Sequence, residues 1–296
     1  MPALFRWFGS KRWLTPTIAA AVPGECTVVV SPFLGSGAFE YAFALANPDR
    51  RVVCFDIDPA VVNFHKNALR APRALFDRVM KMHAQMCLDG ESVIRKEAYD
   101  TLVRRHVRAG DARQHGLNAA ARFFVLAAYS FSGKKFTFAR KDAFRKPTAL
   151  LGRLPTENLS VERANALEVL DRLSKEDART TFVYLDPVYM HRRGSDYYAK
   201  GGDFDHAELA RRLELLRARF LMSYNSTARP ELRRMYPWAR FASIGRRRDA
   251  SVGDSELLIS NFRLPRRCAV AWSRAAAPRP APASPASPRP PRTRPA

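Results

Sequence analysis

Short β-branched runs alternate along this chain with segments whose apolar residues recur at helical spacing. Thr27–Pro32, with three consecutive valines, predicts a buried strand. It leads into Phe33-Leu34-Gly35-Ser36-Gly37-Ala38 and then an apolar stretch of helical character, Phe39 to Leu45. Arg51 to Ile57 predicts a second buried strand with Asp56 and Asp58 at its end, and Pro59 opens a helix that runs through Leu69. Thr180 to Leu185 predicts a further buried strand, which ends in Asp186-Pro187-Val188-Tyr189. Leu209, Leu213 and Leu216 fall at helical spacing between Asp205 and Arg219, with Asp205 placed as the N-cap. Phe220–Tyr224 and Leu257–Phe262 read as later strands, and the long middle, from about Arg70 to Thr156, as helix-rich. Strand, glycine turn, helix, strand, acid is the first half of a doubly wound α/β fold. Ligands of such sheets sit beyond the C-terminal strand ends, where Gly35-Ser36-Gly37 and Asp186-Pro187 both fall.

These two strand ends carry the candidate chemistry. Gly35 and Gly37 let the backbone turn sharply and approach a ligand, and Asp56, 19 residues after Gly37, is the right type to accept hydrogen bonds from ribose hydroxyls. The pattern suits a nucleoside cofactor, although a lone G-x-G also occurs in ordinary turns. Glu40 stands where the dinucleotide fingerprint has its third glycine, which disfavours NAD. At the other end, the Asp186 carboxylate and the Pro187 carbonyl can each accept a hydrogen bond from an exocyclic amino group. Tyr189 can stack on a flat base, so the segment can hold an extruded base. Four residues alone are equally compatible with a plain strand-to-loop turn.

Composition narrows the partner. The 296 residues carry 50 Lys and Arg against 28 Asp and Glu, a net charge of +22, which suggests a polyanion and most simply nucleic acid. A hydrophobic content of 47% is enough for a buried core and excludes a wholly disordered chain. Five of the positive charges lie in Arg274–Ala296, a Pro/Arg/Ala segment expected to be disordered. Between Ala120 and Pro155, eight basic residues face one acid and interleave with Phe123, Phe124, Tyr129, Phe131, Phe136, Phe138 and Phe144. That mixture favours a nucleic-acid surface, with Lys134, Lys135, Arg140, Lys141, Arg145 and Lys146 as its candidate contacts. Arg246-Arg247-Arg248 form a third basic patch. Four Cys without a C-x-x-C pair argue against a zinc site and a disulfide framework, and six His show no metal-ligand spacing, so no metal is expected. No apolar run approaches the roughly 18–20 residues of a membrane helix, and no secretory signal is expected. The expected location is therefore intracellular, cytoplasmic or nucleoid-associated, and the expected state a monomer.

With these residues on the page, the chain resembles the Dam-type, or D12 class, adenine-specific DNA methyltransferases. Leu4-Phe5-Arg6-Trp7-Phe8-Gly9-Ser10-Lys11 is similar to the family's N-terminal FLKWAGGK segment, and Ser31-Pro32-Phe33-Leu34-Gly35-Ser36-Gly37 to EPFLGSG. Phe55-Asp56-Ile57-Asp58 resembles the ADIN strand end, and Tyr184-Leu185-Asp186-Pro187-Val188-Tyr189 the YCDPPY motif. Phe204–Ala210, Ser223-Tyr224-Asn225 and Glu256–Asn261 are similar to later segments, in the family's order. The resemblance covers roughly residues 4–262 and is weakest in the middle.

The resemblance implies an S-adenosylmethionine-dependent, Rossmann-like methyltransferase sheet with an inserted helical target-recognition domain. Residues 1–65 and 166–273 would form the catalytic domain, 66–165 the insertion and 274–296 the tail. It implies S-adenosyl-L-methionine as cofactor, bound or bordered by Trp7, Lys11, Phe33, Gly35, Gly37, Asp56 and Asp186, and double-stranded DNA as substrate. Asp186, Pro187 and Tyr189 would act on the N6 amino group of a flipped adenine, and Phe131-Ser132-Gly133-Lys134 would form a loop after a recognition helix. Three positions depart from the pattern: Val188 replaces the motif's second proline, Ser31 its acid before Pro-Phe, and Asn165 an Asp that reads the cofactor's adenine. A catalytically silent DNA-binding relative, and a methyltransferase acting on cytosine N4 or on RNA, are the alternative readings.

Overall fold

A computed structural model describes residues 4–5, 9–87, 94–130, 137–139, 154, 157–175, 178–190, 204–244, 255–265 and 268. Trp7, the basic residues Lys134, Lys135, Arg140, Lys141, Arg145, Lys146 and Arg246–Arg248, the loop Phe131–Lys134 and the tail 274–296 lie outside these residues. In chain order the elements are α1 (Thr15–Ala21), β1 (Val28–Ser31), α2 (Ala38–Ala46), β2 (Arg51–Asp56), α3 (Pro59–Arg70), α4 (Pro72–Met86), α5 (Lys96–Ala109), α6 (Gly116–Ala128) and β3 (Leu159–Arg163). Then follow α7 (Ala166–Lys175), β4 (Thr181–Leu185), α8 (His206–Leu215), β5 (Arg219–Asn225), α9 (Arg229–Met235), β6 (Arg240–Ile244) and β7 (Glu256–Ser260).

The strands form one seven-stranded sheet in the order β3-β2-β1-β4-β5-β7-β6. β1 to β5 are parallel, and β7 runs antiparallel to both β5 and β6. The chain builds outward from β1 through β2 to β3, then returns to β4 on the other side of β1. The order therefore reverses between β1 and β4, the place where an open α/β sheet leaves a crevice at its C-terminal strand ends. This is the expected Rossmann-like, doubly wound α/β sheet.

Side-chain alternation explains why the central strands read as continuous apolar runs. Val29, Val52, Phe182, Tyr184 and Leu221 face one side, where α1 to α6 supply the apolar partners. Val30, Val183, Leu185, Phe220 and Met222 face the other, against α7, α8 and α9. Both faces are buried, so neither parity is free to be polar. The buried residues of α4, α5 and α6 belong to the same apolar cluster as the sheet face, and α6 packs on both α3 and α4. The boundary expected at 65/66 falls inside α3, and β3, within the range assigned to the insertion, is the edge strand of the sheet. No helix among the described residues is long and apolar enough to cross a membrane.

Candidate functional site

The N-terminal segment is anchored before it reaches the site. Phe5 packs edge-on against Phe64 of α3 and Phe123 of α6, with ring centroids 5.0 and 5.1 Å apart. The Lys11 carbonyl then accepts the N–H groups of Leu14 and Thr15, which opens α1. These contacts fix the Lys11 backbone and aim its side chain at the crevice, where it is 7% exposed. Lys11 Nζ lies 2.7 Å from Asp186 Oδ1, donates to Asp186 Oδ2 at 2.9 Å and to the Gly9 carbonyl at 2.7 Å. Residues 175 positions apart thus form an ion pair in which Lys11 is buried and Asp186 partly exposed. A third charge closes the group: Glu256 Oε1, at the start of β7, lies 3.7 Å from Lys11 Nζ.

Asp186 directly follows β4. Besides Lys11, its Oδ1 accepts from Ser223 Oγ at 3.2 Å and lies 3.2 Å from Tyr189 Oη. Ser223 is held in turn by Tyr184, Oη to Oγ at 3.0 Å. Oδ2 carries the smaller load and is the oxygen better placed to accept from an incoming amino group. Tyr189 also donates to Glu256 in a short contact, while its ring stacks on Tyr224 at 4.5 Å and Lys11 sits 4.8 Å from its centroid. Burial, and then the charges of Asp186 and Glu256, push the Tyr189 phenol well above its ordinary range, so it stays protonated. Aromatic contacts continue from Tyr224 to His206, Phe204 and Phe33, at 5.9, 4.9 and 5.5 Å between successive centroids. They form a wall along the crevice from the glycine turn to Tyr189.

The glycine turn is pinned at both backbone polar groups of Gly35. Gly35 N–H donates to Asp56 Oδ2 at 2.9 Å, and the Gly35 carbonyl meets His65 Nε2 at 2.8 Å. A carbonyl only accepts, so His65 carries its proton on Nε2, and its Nδ1 accepts from Tyr41 Oη at 3.0 Å. Burial lowers the His65 pKa to about 4, which keeps the ring neutral. Asp56 Oδ1 takes the Asp58 N–H at 2.9 Å, so both Asp56 oxygens organise backbone. Gly35 and Gly37 hold φ of 49° and 66°, in the left-handed region. A Cβ on Gly37 would sit 2.7 Å from the Tyr41 ring.

Two of the departing positions gain a physical account. Ser31 Oγ donates to Glu40 Oε1 at 2.6 Å, so the strand end without an acid has one beside it, supplied from the first turn of α2. Glu40 is 2% exposed, and desolvation, reduced by the Ser31 hydrogen bond, raises its pKa to about 7. Asn165 Oδ1 accepts the Leu167 N–H at 2.9 Å, so that carbonyl is engaged at the start of α7.

The structure therefore brings Lys11, Asp186, Pro187 and Tyr189 together at the end of β4, and Phe33, Gly35, Gly37 and Asp56 at the ends of β1 and β2. Residue-by-residue reading gave no role to Glu256, Ser223, Tyr224, Glu40 or His65. For Glu40 the one available signal was an acid inside an otherwise apolar helix, Ala38–Ala46. Among the described residues no group of His, Cys, Asp and Glu is arranged to hold a metal ion.

Comparison with known proteins gives one family. The model of the D12 class N6 adenine-specific DNA methyltransferases matches residues 7–236. No curated protein matches the chain at a significant level. Among solved structures, precorrin 8w decarboxylase of Methanobacterium thermoautotrophicum is similar at 13% identity and a TM-score of 0.36, over 88% of this chain and 94% of that one. A predicted O-methyltransferase from Agrobacterium tumefaciens is similar at 10% identity and 0.35, over 83% and 79%. A SAM-dependent methyltransferase from Neisseria gonorrhoeae is similar at 15% identity and 0.30, over 88% and 69%.

Proposed function

Because this chain belongs to the D12 class of N6 adenine-specific DNA methyltransferases, we propose that it methylates N6 of an adenine flipped out of duplex DNA. The observation that carries the proposal is the Asp186 carboxylate at the end of β4, held from behind by Lys11, Ser223 and Tyr189 and placed beside the crevice wall of Tyr189, Tyr224, His206, Phe204 and Phe33.

The donor set suits the family's cofactor. Asp186 and Glu256 against Lys11 leave one net negative charge, which favours a cationic sulfonium. In the turn before α2 the Ser36 hydroxyl, which lies 3.1 Å from Ser10 Oγ, is a side-chain donor for a carboxylate. Phe33, Gly35, Gly37, Asp56, Asp186 and Lys11 are the described residues we assign to it; Trp7, outside the described residues, is assigned by the family resemblance alone. S-adenosylmethionine supplies, when bound, an electrophilic methyl group.

The chain's own residues do the rest. The amino nitrogen of adenine is a poor nucleophile because its lone pair is delocalised into the ring. Asp186 and the Pro187 carbonyl accept hydrogen bonds from its two protons, which favours a more tetrahedral nitrogen and orients the lone pair. Tyr189 and the aromatic wall hold the base flat. Val188 leaves this chemistry intact, since the accepting carbonyl belongs to Pro187. The basic residues Lys134, Lys135, Arg140, Lys141, Arg145 and Lys146 contact the DNA backbone in this reading.

The test is nucleoside analysis by mass spectrometry after incubating the purified protein with S-adenosylmethionine and duplex DNA. N6-methyladenine is the expected product. Methylation at cytosine N4 would reassign the substrate, and cofactor-free DNA binding without transfer would identify a silent relative.

A further inference from the structure

The fold gathers arginines at one corner of the molecule, outside the site described above. Between Arg104 and Arg122 the chain carries five arginines, no lysine and one acid, Asp111. We propose that Arg104, Arg105, Arg108, Arg113 and Arg122 form a docking surface for the phosphates of duplex DNA beside the crevice; the inference rests on the reading of duplex DNA as the substrate.

Three side-chain hydrogen bonds build this corner. α5 ends at Ala109, and Gly110, at a φ of 57°, turns the chain back. Gln114 Nε2 then donates to the His106 carbonyl at 3.0 Å, which holds the returning segment, and with it Arg113, against the last turn of α5. Gln114 Oε1 accepts from Arg122 Nη2 at 3.3 Å, so α6 adds its arginine to the same corner. Asn63 Nδ2 donates to the Gly116 carbonyl at 2.9 Å and ties the connection to α3. α3 starts at Pro59, directly behind the end of β2, and Asn63 follows four residues later, about 6 Å along the helix. The arginines therefore stand at the end of the sheet where the crevice opens.

Folding alone gives no reason for this arrangement. Arg104, Arg105, Arg108 and Arg113 are exposed and Arg122 is half-buried. Among the described side chains none of the five guanidiniums meets a carboxylate. Asp100, one turn before Arg104, is taken by Lys96 at 2.6 Å. Arg104 and Arg108 lie four residues apart on α5, a spacing at which like charges repel. The helix dipole favours a cation in the last turn, which accounts for Arg108 alone of the five. Arg122 is the most costly: its Nε is buried without a hydrogen-bond partner, and burial, then the charge of Arg105, lower its pKa. Spare donors on unpaired guanidiniums fit the oxygens of phosphate, which accept in the planar geometry that arginine offers. A duplex supplies such groups at regular spacing.

Duplex binding by fluorescence anisotropy across a salt series tests the surface. The full chain is compared with a triple variant, Arg105→Gln, Arg108→Gln and Arg113→Gln, and with Arg122→Gln alone. The triple variant should lose about 2 to 3 from the slope of log affinity against log salt, and bind at least roughly 10-fold more weakly at about 0.1 M salt. Its S-adenosylmethionine affinity by calorimetry, and its transfer rate at saturating DNA, should stay at the wild-type value. Arg122→Gln should lower the slope by about 1 while its thermal midpoint holds or rises, since an unpaired buried charge is removed. A purely structural arginine would do the reverse, losing midpoint with the slope unchanged. An unchanged slope in the triple variant, in a wild type that methylates DNA, would overturn the surface and leave the methyltransferase reading intact. Loss of binding to phosphatidylserine vesicles with DNA binding untouched would assign the arginines to a membrane and overturn it equally. An arginine-dependent slope without N6 transfer would support the surface and remove the enzymatic reading alone. No duplex binding by the wild type would remove both.

Discussion

Replacing Glu40 by Gln should stabilise the protein at neutral pH and leave it unchanged in acid. Glu40 lies under the glycine turn with 2% of its surface exposed and one side-chain partner, Ser31 Oγ at 2.6 Å. Burial raises its carboxyl from the ordinary 4.5 to about 7. Between those values the folded protein keeps a proton that the unfolded chain has released, so stability falls as pH rises through the window. At about 1.4 kcal/mol per pH unit, the loss is about 3 kcal/mol once pH exceeds 7. Gln fills the same volume, still accepts from Ser31 and carries no charge. Urea denaturation of both proteins across the window should give a difference near zero at about pH 4.5, growing to about 3 kcal/mol in favour of Glu40→Gln at about pH 8. A difference independent of pH would refute the reasoning. The comparison must be between variants, because His65 contributes with the opposite sign over an overlapping range.

Three further outcomes are expected. His65, lowered from 6.5 to about 4, contributes stability that is present above pH 6.5 and is lost as pH falls toward 4; His65→Gln should abolish a loss of about 3 kcal/mol over that range, read by denaturation at fixed pH steps. Gly37→Ala should cost about 2 kcal/mol or more, since it places a Cβ 2.7 Å from the Tyr41 ring at a φ of 66°, and should weaken S-adenosylmethionine binding by calorimetry. Charge reversal at Lys134 and Lys135 should weaken DNA binding and flatten the slope of log affinity against log salt; an unchanged slope would exclude them from the phosphate contacts.

The parts of the fold legible in the sequence were those buried on both faces. Val28–Ser31, Arg51–Asp56 and Thr181–Leu185 pack helices on either side, so their runs are apolar without interruption, and their ends fixed the place of the crevice. The strands that escaped notice are half-exposed edges. β3 reads Leu-Ser-Val-Glu-Arg, with Leu159 and Val161 buried and Ser160, Glu162 and Arg163 exposed, and β6 reads Arg-Phe-Ala-Ser-Ile with none of its residues fully buried. The candidate residues were legible one by one, and their partners were not. Lys11 meets Asp186 only because α1 and β4 lie on the same side of the crevice, and Glu256 reaches Tyr189 only because β7 pairs antiparallel with β5 and brings Glu256 opposite Asn225. Asp56 was read as a ribose acceptor from its spacing; its two oxygens bracket Gly35 and Asp58, a use no spacing announces. The Ser31 departure looked like a lost charge until the fold placed Glu40 against it.

The claim on which the rest depends is that the Asp186 carboxylate orients the amino group that accepts the methyl. Single-turnover transfer to duplex DNA by Asp186→Asn tests it most directly, with S-adenosylmethionine binding measured on the same protein. The account predicts that the variant binds the cofactor and transfers at least about 100-fold more slowly. Transfer at the wild-type rate would contradict it.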